Sequence, residues 1–174
     1  EAVAVEAAVS IIQLTRLHGA EEEEGVSPIE ACSTALITAL PKLLAKFSTD
    51  APKISDILLI IQSMDLEVYH ETRNVSASES LWEQVCSHFM RHIEPDLLQN
   101  AAEAIRLLSS TSVSSGPTKL DALAETILQS VNVTLSGRNL ETAVFTEDDV
   151  HNLRANLLRL HALATVADLS GVFT

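Results

Sequence analysis

Apolar residues recur at intervals of three and four along most of the chain, which is the spacing of a helix that buries one face. No window alternates between apolar and polar residues, as a half-buried strand would require. The pattern therefore predicts an all-α fold. The clearest stripes are Trp82–Val85–Phe89–Ile93, Leu98–Ala101–Ile105–Leu108 and Val150–Leu153–Leu157–Leu160–Ala164.

These stripes also predict which side chains form the core. We expect four large apolar residues to be core anchors, namely Trp82, Phe89, Leu153 and Leu157. The faces opposite the stripes carry polar residues, which should face solvent. They include Glu103 and Arg106 on one helix, and Asn152, Arg154 and Asn156 on the last.

Helix starts are marked by capping sequences and prolines. Residues 27–30, 76–79 and 146–149 follow the Ser/Thr-x-x-acid pattern of a capping box, and Asp50 precedes a further helix. Pro95 should divide two helices because it has no backbone donor, and Pro41 should kink the helix that contains it. The signals predict helices over residues 3–18, 28–47, 51–63, 78–93, 95–109, 119–133 and 147–168, with a possible short turn near 66–71.

The helices recur as pairs. First helices begin near residues 27, 76 and 117, and second helices begin near 50, 94 and 146. HEAT and armadillo units repeat every ~40–47 residues, so the spacing fits a HEAT-like α-α superhelix of stacked antiparallel helix pairs, right-handed and without strands. A compact irregular helical bundle is the alternative. We interpret residues 1–174 as a single segment of a larger solenoid.

Composition narrows the function further. The chain is 47% apolar but only 3% aromatic, which suits close helix packing, and its net charge is −13. Eleven basic residues are scattered along it, and only Lys42, Lys46 and Lys53 lie close together. Non-specific DNA binding uses ~6–10 phosphate contacts, so the isolated chain should not bind DNA. Cys32 and Cys86 are expected to be buried thiols, and no apolar run is long enough for a membrane helix.

The sequence contains no convincing catalytic or cofactor motif. His88 and His92 are four residues apart, as on a metal-binding helix, but the general-base Glu of a metalloprotease is absent between them. We expect both, like His151 and His161, to border apolar strips and bond to neighbouring backbone. No glycine-rich phosphate loop or glycine-flanked nucleophile occurs. The prediction is a protein without enzymatic activity, cofactor or metal.

The candidate binding segment lies between two predicted helices. Asp65, Glu67, Tyr69 and His70 occur there within a short span, followed by Arg73. Tyrosine is favoured in interfaces, and paired acids suit a basic extended peptide. In the alternative interpretation, Leu66, Val68 and Tyr69 pack into the core while the acids cap the turn.

Four segments resemble the stromal antigen (STAG) family, the HEAT-repeat accessory subunits of cohesin. The sequence LPKLLAKF followed by DLEVY is the most specific part of this resemblance. The segments are residues 40–60 (LPKLLAKFSTDAPKISDILLI), 65–69 (DLEVY), 92–108 (HIEPDLLQNAAEAIRLL) and 148–169 (DDVHNLRANLLRLHALATVADL).

The resemblance implies a non-enzymatic, nuclear, chromosome-associated scaffold that binds the kleisin subunit of cohesin. It also implies contacts with other cohesin regulators or the loader, and with DNA through other parts of the full-length protein. Residues 109–117 and 136–145 depart from the family pattern, so no contact residues are carried over there. Two other classes stay open: a generic HEAT or armadillo adaptor outside the cohesin system, and a small helical enzyme domain marked by a ligand near His88 and His92.

Overall fold

A computed structural model describes residues 28–64, 75–109, 118–136 and 144–167. Every regular element in these ranges is an α-helix, which confirms the all-α prediction. We number the helices in chain order. They are α1 (Pro28–Lys46), α2 (Ala51–Ser63), α3 (Val75–Arg91), α4 (Pro95–Ser109), α5 (Lys119–Leu135) and α6 (Glu147–Val166). The helix predicted over residues 3–18 and the turn near 66–71 lie outside the described residues.

Local sequence signals fix most of the helix starts. The Asp50 carboxylate accepts a hydrogen bond from the Lys53 amide (3.3 Å) at the start of α2. At the start of α6, Thr146 Oγ1 accepts from the Asp149 amide (3.1 Å), and the Asp149 carboxylate accepts from the Thr146 amide (3.0 Å). The sequence predicted this reciprocal capping box. It stabilises the helix start because each side chain accepts a hydrogen bond from a backbone donor that has no partner within the helix.

The predicted capping box at residues 76–79 is wrong. Helix α3 begins at Val75, so Ser76 lies inside the first turn and does not precede it. The sequence reasoning also missed a capping box at Thr118 and Asp121, which starts α5. Its Thr118 amide donates to the Asp121 carboxylate at 2.7 Å. As predicted, Pro95 separates α3 from α4. Helix α1 contains Pro41 and continues through it.

The chain divides into two compact units, residues 1–88 and 89–174. In the first unit α1 and α2 pack together, joined by a four-residue connection. The Leu81 and Val85 side chains of α3 are also fully buried. Among the residues of this unit whose burial the structure describes, the apolar core consists of Ile37, Leu40, Leu44, Ile54, Ile57, Leu58, Ile60, Ile61, Met64, Leu81 and Val85.

In the second unit α6 packs against both α4 and α5, and α4 also contacts α5. Helix α4 buries the predicted stripe of Leu98, Ala101, Ile105 and Leu108 completely or almost completely. Phe89 is fully buried, as predicted. Small residues are frequent in this core, so the helix axes can approach closely.

The predicted core face of α6 is right at Leu160, which is buried, and wrong at three of its other positions. Leu157 is 56% exposed and Val150 is 55% exposed, and Ala164 is also exposed. The predicted anchors Trp82 and Leu153 are only half-buried. The face that α6 buries consists of Ala155, Asn156, Arg159, Leu160, Ala162 and Leu163. Apolar residues lie on two sides of this helix, and the packing against α4 and α5 selects the side with the smaller ones.

Candidate interaction surfaces

The predicted binding residues Asp65, Glu67, Tyr69 and His70 lie outside the described residues, as does Arg73. The structure describes the point where the chain leaves α2. Met64 follows the last helical residue with an extended backbone (φ −68°, ψ 156°), and its side chain is buried. Its amide donates to the Ile61 carbonyl at 3.2 Å, which closes the helix. The binding segment therefore begins directly after a residue anchored in the core.

A small basic corner lies at the turn between α1 and α2. The ammonium groups of Lys46 and Lys53 lie 5.1 and 4.7 Å from the centre of the Phe47 ring. Lys53 also forms an ion pair with Asp50 (2.9 Å), and the hydrogen bond from its side chain lowers the pKa of the Asp50 carboxyl. Asp50 partly neutralises the corner, and its two lysines are fewer cations than DNA binding uses.

His88 has a structural environment. Its ring is buried, and Nε2 lies 3.1 Å from the Leu44 carbonyl of α1. We expected a bond to neighbouring backbone, but the acceptor is 44 residues away in the sequence. A ring nitrogen at this distance is hydrogen-bonded to the carbonyl oxygen, so His88 links α3 to α1 within the first unit. Cys86, two residues earlier, is half-buried and not fully buried as predicted, and the Cys32 side chain lies outside the described residues.

His92 lies beyond the end of α3 and not on the same helix as His88. Its Nδ1 lies 3.4 Å from the Glu94 carboxylate, which also accepts from the Ile93 amide (3.1 Å). The pKa of Glu94 is lowered, mainly by a hydrogen bond from its own backbone amide. Within the described ranges, no group of three or more His, Cys, Asp or Glu residues could hold a metal ion.

The sequence reasoning missed a buried polar cluster in the second unit. The Arg159 side chain of α6 is 8% exposed. Its Nε donates to the Phe89 carbonyl (3.2 Å), and one terminal nitrogen donates to the Met90 carbonyl. The other donates to Asn156 Oδ1 (2.9 Å), whose amide donates in turn to Ser130 Oγ of α5 (3.1 Å).

These bonds explain why a guanidinium is buried here. The carbonyls of the last helical turn have no partner within their own helix, and Phe89 and Met90 stand in the last turn of α3. The helix dipole also favours a cation at this end. Burial lowers the pKa of Arg159, because the charged form loses hydration. The sequence signal for this burial was that Arg159 lies four residues from both Ala155 and Leu163, on the same face of the helix. An arginine on an apolar face is, however, ordinarily predicted to be exposed to solvent.

A surface cavity of about 520 Å³ lies at the start of α6. Its walls combine an aromatic ring, a valine, two acids and two basic side chains. They are Phe145, Thr146, Glu147, Asp148, Val150, His151 and Arg154. Exposed Val144 (90%) precedes this segment and exposed Leu157 follows it, so apolar surface continues beyond both ends of the cavity. Such mixed surface, apolar with charges of both signs, is suited to a protein ligand.

None of the described helices is long and apolar enough to cross a membrane. His88 and Arg159 both hold helices together. This arrangement can present side chains to a partner.

Comparison with known proteins places the chain in a family. A family model described as "Cohesin subunit SCC3/SA, HEAT-repeats domain" matches residues 3–173. The chain is 33% identical over 138 residues to cohesin subunit SA-3 of Homo sapiens and 31% identical over 141 residues to cohesin subunit SA-1 of Xenopus laevis. It is 28% identical over 137 residues to sister-chromatid cohesion protein 3 of Arabidopsis thaliana.

The matches cover most of this chain but little of the relatives. They include 78%, 77% and 75% of the chain, against 11%, 11% and 12% of the three relatives in the same order. The match over residues 3–173 confirms the resemblance to stromal antigen proteins and the HEAT-like character of the fold. The chain belongs to the cohesin SCC3/SA family, and its residues 3–173 match the HEAT-repeats domain of that family.

Proposed function

We propose that this chain is a non-enzymatic scaffold segment of a cohesin accessory subunit that binds the kleisin and supports sister-chromatid cohesion and chromosome loading. The match of residues 3–173 to the SCC3/SA HEAT-repeat family carries the proposal. Relatives named as cohesin subunits and as a sister-chromatid cohesion protein support it. Stacked helix pairs suit this role, because they create extended surfaces without a catalytic cavity.

The proposal implies a nuclear, chromosome-associated location and a place within the cohesin complex. The kleisin is the principal partner, and cohesin regulators or the loader are further ones. The net charge of −13 opposes direct DNA binding by this chain. DNA contacts of the complex would therefore use other parts of the full-length protein.

We place the kleisin contact at the segment after α2, with Asp65, Glu67, Tyr69 and His70 as the contacting residues. Two acids and a tyrosine within five residues suit an extended, partly basic peptide. The buried Met64 supports this assignment, because it fixes the position from which the segment starts. Charges on an exposed rim act mainly on association rate and on salt dependence.

The test measures binding of overlapping kleisin peptides by fluorescence anisotropy at two salt concentrations. The double reversal Asp65→Lys/Glu67→Lys should weaken binding of one basic peptide and reduce its salt dependence. The matched control is Asp56→Lys/Glu79→Lys, which changes the net charge equally at two exposed helical positions of the same unit. Thermal melts of all variants check that the fold is retained.

The outcomes separate the possible roles of the segment. Weaker binding with an unchanged melting curve supports the contact. Loss of folding in the double reversal would show that the acids cap the turn instead. Normal binding by the folded variant would place the kleisin on another face. Failure of every kleisin peptide to bind the folded chain would favour a HEAT adaptor outside the cohesin system.

A further inference from the structure

We draw no further inference here: the strongest candidate, the surface cavity at the start of α6 lined by Phe145, Val150 and Arg154, lies on the outer face of the last described helix, and nothing in the structure shows what covers that face.

Discussion

Replacing Arg159 by Met tests whether the buried polar cluster stabilises the second unit. Methionine retains an unbranched side chain of comparable length but removes every donor. The Phe89 and Met90 carbonyls and Asn156 Oδ1 would then lose the bonds that Arg159 makes. A buried polar group left without a partner costs about 1–3 kcal/mol. Burying an uncharged side chain instead of a guanidinium offsets part of this loss.

We therefore expect a net loss of about 2–4 kcal/mol in the free energy of unfolding for Arg159→Met. Urea unfolding followed by circular dichroism measures this value, with an unchanged dependence on urea as the check on two-state behaviour. Arg159→Lys should be intermediate, because an ammonium group cannot reproduce the planar fork of a guanidinium.

Arg154→Met is the matched control for this experiment. It makes the same chemical change on the same helix at an exposed position, and it should alter stability by less than about 0.5 kcal/mol. A loss below about 1 kcal/mol for Arg159→Met would refute the reasoning, since it would mean that the cost of burying the guanidinium equals the gain from its bonds.

Three further predictions concern the core, pH and nucleic acid. Phe89→Ala should lower the unfolding free energy by about 3–5 kcal/mol, and Leu157→Ala by less than about 1 kcal/mol, in the same urea assay; equal losses would contradict the burial described above. The hydrogen bond from Arg106 lowers the pKa of the Glu103 carboxyl. The interaction between Glu103 and Arg106 therefore stabilises the fold above the ordinary pKa of 4.5, and this stabilisation is lost as pH falls through the lowered pKa. Glu103→Gln should thus be less stable than wild type at neutral pH, by under about 1 kcal/mol, and converge with it in acid; a difference that persists in acid would point to packing. The isolated chain should give no mobility shift with duplex DNA near physiological salt, and a salt-sensitive shift at low micromolar protein would contradict the charge argument.

The sequence alone was enough to predict the family and the six helices that the structure describes. Caps such as Asp50 and Thr146 act through hydrogen bonds to residues three positions away, so their effect is contained in a few letters of sequence. The boundaries of α2 agree with prediction for this reason, and α4 begins at Pro95, as predicted. The segment DLEVY and its neighbours carried the family resemblance, which the match over residues 3–173 confirms. The role of Asp65, Glu67, Tyr69 and His70 stays a prediction.

Only the tertiary structure decided which face of α6 is buried. The helix carries apolar residues on one side at Val150 and Leu157 and on another at Leu160 and Leu163, and the spacing of the predicted stripe could not separate these two sides. The choice depends on Arg159, because a guanidinium can be buried only where acceptors surround it. Those acceptors are the terminal carbonyls of α3, about seventy residues earlier in the sequence. A contact of that kind has no local signature, so the same packing that buried Arg159 also left Val150 and Leu157 on the surface.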